Sequence, residues 1–293
     1  MNSTRILIAG GDLRQAYLAD VLCRTCAVET IGLDKIPNPP GPLPETALAA
    51  LAAPDYLMLP VPAMSDDTYL NTPFSAKRIP IDEVLDCASA QTVILGGKIS
   101  GTLAQKLKER NLSFIDYMEW EPLAVKNASV TAEAAVQIAM EELPVAIEGL
   151  PVLIIGYGRI GRLLLRKFSA LGASCIVAAR SPAARAWSEM EGAFSCDMTA
   201  LIDGVERSRL IINTVPVCLL TKDILAHARE DCLLIDLASK PGGIDQAAAG
   251  AFGLHTIWAL SLPGKVAPAT AADILAKTIF EIDAERRNGH GTL

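Results

Sequence analysis

Six residues carry the most chemistry in their spacing: Gly156-Tyr157-Gly158-Arg159-Ile160-Gly161, a GxGxxG run. The apolar segment Val152–Ile155 precedes it, and a helical pattern from Arg162 to Leu171 follows. In that context each glycine has its own role. Gly156 allows the tight turn, Gly158 the close approach of backbone to a pyrophosphate, and Gly161 the close packing of helix on strand. The backbone at Arg159 and Ile160 completes the cradle. A helix N-terminus presents N–H groups and the positive end of its dipole, which suits phosphate. The expected ligand is a dinucleotide.

The next strand, Ser174 to Ala179, selects among dinucleotides. A carboxylate at its end would bind a ribose 2′-hydroxyl, but Ala179 stands there, followed by Arg180 and Ser181. An arginine pairs with a 2′-phosphate and no acid repels it, so NADP(H) is expected over NAD(H). Three further loops fall after strands, where ligands of open α/β sheets bind. They are Asn213-Thr214-Val215-Pro216, Asp236-Leu237-Ala238-Ser239-Lys240-Pro241-Gly242-Gly243 and Ser261-Leu262-Pro263-Gly264-Lys265. Thr214, Val215, Pro216, Leu237 and Ala238 are expected at the nicotinamide end.

Two halves must position these loops, and each opens with an apolar run, a glycine turn and a helix. Strands are predicted near 5–9, 27–32, 55–59, 92–95 and 113–115, then near 152–155, 174–179, 209–212, 232–236 and 255–259. Apolar runs buried on both faces indicate parallel sheets covered by helices. Two doubly wound α/β domains follow, a flavodoxin-like one over 1–126 and a Rossmann one over 127–269 that includes a connector helix. Thr131 to Leu143 reads as that helix, stopped by Pro144. Thr270 to Arg286 reads as a terminal helix, with 270–293 expected to pack back on the first domain.

Composition narrows the classes. The 293 residues carry 26 Lys and Arg against 33 Asp and Glu, a net charge of −7, the wrong sign for non-specific binding to a phosphate backbone. No run reaches the roughly 18 apolar residues of a membrane span, and the start lacks the apolar core of a signal peptide. With seven scattered cysteines, reduced thiols in a cytoplasm are expected. Cys23 and Cys26 form a CxxC without a second ligand pair, so buried helical thiols are the preferred reading over a metal or redox site. His227, His255 and His290 fall outside every motif.

Taken together, Gly10-Gly11-Asp12-Leu13-Arg14-Gln15, Asn127-Ala128-Ser129-Val130-Thr131-Ala132-Glu133, the Gly156 run, Ile211 to Pro216, Leu237 to Gly243 and Leu262 to Pro268 resemble the family of the dipicolinate synthase A-subunit. The LASKPGG and LPGKVAP runs are the most specific; residues 34–90 contribute little. The resemblance implies NADP-dependent oxidation of a dihydrodipicolinate to dipicolinate during spore formation, in the mother-cell cytoplasm. It also implies a flavoprotein-like partner, the dipicolinate synthase B-subunit. A dicarboxylate substrate needs cationic or N–H anchors, for which Arg14, Lys240 and Lys265 are candidates; Asn127, Thr131 and Ser239 add hydrogen bonds. Lys240, Lys265 and the acid Glu119 are the catalytic candidates, with Glu133 a further acid. The candidates fall on both sides of the connector, so a site between the domains is expected. Two alternatives stay open: a stand-alone NADP-dependent dehydrogenase or reductase of a small oxo or imino acid, and a cofactor-binding protein without chemistry of its own.

Overall fold

The computed structural model describes residues 4–44, 48 and 51–287; His290 and the first three residues lie outside them. In chain order the elements are β1 (Arg5–Ala9), α1 (Leu13–Leu22), β2 (Ala27–Ile31), β3 (Tyr56–Met58), α2 (Ile81–Leu85), β4 (Val93–Gly96), α3 (Gly101–Glu109), β5 (Ser113–Asp116) and α4 (Glu121–Glu142). There follow β6 (Pro151–Ile155), α5 (Arg159–Ala170), β7 (Ser174–Ala178), α6 (Pro182–Met190), β8 (Phe194–Cys196), α7 (Leu201–Arg207), β9 (Leu210–Asn213) and α8 (Lys222–Leu225). The last are β10 (Leu233–Asp236), α9 (Gln246–Ala251), β11 (His255–Trp258), α10 (Leu262–Val266) and α11 (Pro268–Arg287). The chain divides into two compact units, Met1–Lys126 with Ala267–Leu293, and Asn127–Val266. The boundary falls inside α4.

The first unit is built on a five-stranded sheet in the order β2-β1-β3-β4-β5, every pair parallel. This is the flavodoxin-like doubly wound order. Side chains alternate across a strand, so an uninterrupted apolar run buries both faces. Leu7, Ala9, Leu57 and Ile94 pack under α2 and α3 through Val84, Leu103 and Leu107. Ile6, Ile8, Met58 and Leu95 pack on the other face under Leu18 and Leu22 of α1 and Leu275, Ile279 and Ile282 of α11. The C-terminal helix thus supplies part of the core of the first unit.

The second unit is a six-stranded parallel sheet in the order β11-β10-β9-β6-β7-β8. Counted within the unit, the order is 6-5-4-1-2-3, the Rossmann arrangement. Val152, Ile154, Val177 and Ile212 face Ala135, Leu164 and Phe168 of α4 and α5. Leu153, Ile155, Ile211 and Leu234 face Leu201, Leu225 and Ala249 of α7, α8 and α9. The predicted fold class, two doubly wound α/β domains, is the one observed.

The differences lie at element ends and edges. β8 is an additional strand of three residues whose Phe194 is 72% exposed; an edge strand this short has no apolar run to announce it. α4 begins at Glu121, ten residues before the predicted start, and Pro122 sits in its first turn, where a missing N–H costs nothing. Lys265 lies in the short helix α10 rather than in a turn. The CxxC thiols are not buried in a helix: Cys23 is exposed at the C-cap of α1 and Cys26 is half-buried just before β2.

Candidate functional site

The site is assembled where the strands of the second unit end. In a parallel sheet the turns after β6, β7, β9 and β10 all emerge along one edge. After β6 the chain turns at Gly156 with φ +97°, and a Cβ there would lie 2.3 Å from Thr214 Oγ1. A Cβ on Gly161 would lie 2.1 Å from the Gly156 carbonyl oxygen, so packing of α5 on its own turn demands glycine. Gly158 differs, because a Cβ there would meet nothing within 4 Å. Among the described residues no atom accounts for glycine at 158, and the open space there suits a close-lying pyrophosphate. Gly158 is also the N-cap of α5 and gives it no side-chain cap, which leaves the first N–H groups of the helix available to a phosphate. The residues present therefore fit a dinucleotide.

At the ribose end, β7 stops at Ala178 and Ala179 is buried. Arg180 is exposed and makes no ion pair among the described residues. Ser181 is the N-cap of α6, its Oγ accepting from the Ala184 N–H at 3.4 Å. Arg185, one turn into α6, donates to the carbonyls of Ala179 and Arg180 at 2.8 and 3.0 Å and to Asp197 at 2.6 Å. Hydrogen bonds from Thr199, helped by the charge of Arg185, hold the Asp197 carboxyl below its usual range.

At the opposite end, a buried pair organises the loops. Asn213 closes β9 and Asp236 closes β10, both without solvent exposure. Asp236 accepts from Asn213 Nδ2 at 2.8 Å, from the Ala238 N–H at 3.0 Å and from the Gly243 N–H at 2.8 Å. Asn213 in turn bonds the Val215 carbonyl and N–H at 2.9 and 3.1 Å. Thr214 donates to the Ile155 carbonyl at 2.8 Å, and Trp258 Nε1 to the Ala238 carbonyl at 3.0 Å. A buried carboxylate is tolerable only with such donors, and here they shape both loops after β9 and β10. Both residues sit within quoted motifs, yet their joint role is invisible in sequence because 23 positions separate them.

The loops bring Thr214, Val215, Pro216, Leu237, Ala238, Ser239 and Lys240 to the same sheet edge as Gly156, Gly158 and Arg180. Ser239, Lys240 and Lys265 are exposed, and neither lysine makes an ion pair among the described residues. In the first unit, Asp12 caps α1 and binds Arg14 Nε and Nη2 at 3.0 and 2.8 Å. Burial works to lower the Arg14 pKa, but the hydrogen bond and charge of Asp12 outweigh it, so the guanidinium is held charged. Asn127 and Thr131 are half-buried on α4, and the Thr131 hydroxyl donates back to the Asn127 carbonyl at 2.9 Å. Glu119 is exposed in a 3-10 turn over Tyr117–Glu119. Glu133 is spent on Lys167 at 2.8 Å, and His227 and His255 lie on exposed Glu206 and Glu142 at 2.8 and 3.6 Å.

Comparisons with known proteins agree with this geometry. Residues 124–238 match the family described as D-isomer specific 2-hydroxyacid dehydrogenase, NAD binding domain. Residues 5–118 match the family of the N-terminal domain of the dipicolinate synthase A-subunit. A transhydrogenase from Sinorhizobium meliloti shares the fold, with a TM-score of 0.69 at 15% identity over 95% of this chain and 92% of that one. Fold, glycine run and family match mark residues 124–238 as similar to the NAD binding domain of dehydrogenases, the class of an oxidoreductase with a nicotinamide dinucleotide. The particular protein that the chain resembles is the A-subunit of dipicolinate synthase. The Bacillus subtilis protein is 29% identical over 97% of both chains. The crystal structure of the Bacillus halodurans protein has a TM-score of 0.87 at 29% identity, covering 96% of this chain and 98% of that one. The motif resemblance thus extends through both units. Among the described residues no helix is long and apolar enough to cross a membrane.

Proposed function

We propose that the chain catalyses NADP-dependent oxidation of a dihydrodipicolinate to dipicolinate, working with a flavoprotein-like second subunit in the mother-cell cytoplasm during sporulation. The observation that carries this reading is likeness to the dipicolinate synthase A-subunit over 97% of both chains. Loops of the same motifs border the dinucleotide cradle. A nicotinamide dinucleotide held at Gly156, Gly158 and Gly161 would supply the hydride acceptor for the dihydropyridine. The protein's part is mainly to bind and orient, because gain of aromaticity drives the loss of hydride and proton.

Lys240 and Lys265 are proposed to anchor the substrate carboxylates, with Ser239 adding a hydrogen bond. Neither lysine has an ion-pair partner among the described residues, and a dianion leaving water needs paired charge. Arg14, Asn127 and Thr131 are retained as substrate-binding candidates and Glu119 as the candidate acceptor of the proton that leaves with the hydride. Glu133 is not retained, since Lys167 already holds its carboxylate. Arg180, exposed and without an ion pair among the described residues, is proposed to bind the 2′-phosphate of NADP(H), and no acid at 179–181 opposes it.

The test is the absorbance of dipicolinate formed from dihydrodipicolinate and NADP⁺ by the purified chain, with and without the second subunit. Formation dependent on this chain is expected. Cofactor binding without turnover, even with the partner supplied, would instead identify a cofactor-binding protein without chemistry of its own.

A further inference from the structure

Arg185 is not part of the GxGxxG run, yet it makes three hydrogen bonds beside the turn after β7. Its Nη1 reaches the Ala179 carbonyl at 2.8 Å, the Arg180 carbonyl at 3.0 Å and Asp197 Oδ2 at 2.6 Å. Asp197 follows β8, and its other oxygen accepts from the Thr199 N–H and hydroxyl, both at 3.1 Å. The Ala179 N–H donates to the Cys196 carbonyl at 3.1 Å. One guanidinium therefore ties the ends of two adjacent strands to the backbone on either side of Arg180. We infer that Arg185 is a positioning residue for cofactor discrimination, setting the turn after β7 so that Arg180 is presented to a 2′-phosphate.

The electrostatics give this a direction. A carbonyl oxygen carries partial negative charge, and two of them beside a dianionic phosphate would repel it. Bonded to Arg185, both are turned toward α6 and partly neutralised. Arg180 has a long, flexible side chain and no ion pair of its own among the described residues, so its backbone decides where the charge can reach. With Arg185 gone, the carbonyls are released and the backbone of Arg180 is held only through the Ala179 N–H and the Ser181 cap on either side. The 2′-hydroxyl of NAD(H) is neutral and feels little of this. The inference rests on the proposal that Arg180 reads the 2′-phosphate.

The experiment measures dissociation constants of NADPH and NADH by protein fluorescence, for the full chain and for Arg180→Ala, Arg185→Met and the double variant. The parent is expected to prefer NADPH, and Arg180→Ala to remove most of that preference. Arg185→Met is expected to lower the NADPH-to-NADH preference at least threefold, and the double variant to be no worse than Arg180→Ala. Should Arg185→Met not fold, Arg185→Lys, which keeps one charge on a shorter reach, is held to the same threshold. An Arg185 variant whose preference stays within threefold of the parent overturns the inference, as does equal weakening of both cofactors. A double variant losing a further threefold relative to Arg180→Ala also overturns it, because Arg185 would then not act through Arg180. If Arg180→Ala leaves the preference unchanged, the reading of Arg180 fails first, and this inference with it.

Discussion

At the scale of single residues, the two glycines of the cradle separate stability from binding. Gly161→Ala places a methyl 2.1 Å from a backbone oxygen, and overpacking of this kind costs roughly 1–3 kcal/mol. Gly158→Ala meets no atom of the described residues within 4 Å, and exchanging Gly for Ala at an N-cap costs about 0.5–1 kcal/mol. Urea melts should therefore show Gly161→Ala more destabilised than Gly158→Ala, while cofactor titration shows Gly158→Ala weakened at least tenfold. The lysines provide a second test. Lys240→Met or Lys265→Met is expected to reduce dipicolinate formation tenfold or more, about 1.4 kcal/mol, with NADPH affinity nearly unchanged. Normal turnover in both variants would leave the carboxylates to Arg14 or to a partner residue.

At the scale of elements, α2 and α3 are clasped by charge. Lys106 and Arg110 reach Asp82 at 2.7 Å each, and Arg110 also pairs with Asp86. The hydrogen bond from Lys106 leads in holding the Asp82 pKa below its ordinary value, against a smaller opposing effect of burial and with the charges of Lys106 and Arg110 adding to it. A lowered pKa means that the folded state favours the ionised form. The stabilisation is therefore complete above the unfolded carboxyl pKa of about 3.9 and is lost as pH falls through the folded value. The Asp82 side chain is 41% exposed, so Asp82→Asn should cost only about 0.5 kcal/mol at pH 7, a difference that vanishes in melts below the folded pKa. Helix α11 carries more. Ile279 is 2% exposed within the core of the first unit, and Ile279→Ala should cost about 2–5 kcal/mol in chemical denaturation.

At the scale of the whole molecule, each unit has its own sheet and its own pair of apolar clusters. Ligand that binds only the folded dinucleotide unit stabilises that unit by mass action, about 2.7 kcal/mol at one hundred times the dissociation constant. Calorimetry with saturating NADP⁺ should raise the transition to which residues 127–266 belong. The same addition to Gly158→Ala should raise it far less. An equal rise in both would place the pyrophosphate away from Gly158.

What was legible from sequence is what depends on neighbours in the chain. The runs Arg5–Ala9 and Pro151–Ile155 announce buried parallel strands because each is apolar on both faces. The glycine run announces a cradle because strand, turn and helix are consecutive, and the missing acid at Ala179 is a matter of residue type alone. Other features needed residues distant in sequence. Strand order depends on which crossovers pack, so the alternation of strands and helices carried the two doubly wound classes, while the pairing of particular strands, β8 at the edge included, needed the assembled sheets. β8 exists because β7 offers it a ladder, not because Phe194-Ser195-Cys196 has a strand pattern of its own. The Asn213–Asp236 bond joins the ends of two neighbouring strands, and Arg185 reaches across a turn to Asp197. The residue types in the cradle were decided locally. The shape of the loops around it was decided by buried hydrogen bonds that form only once the sheet brings their partners together.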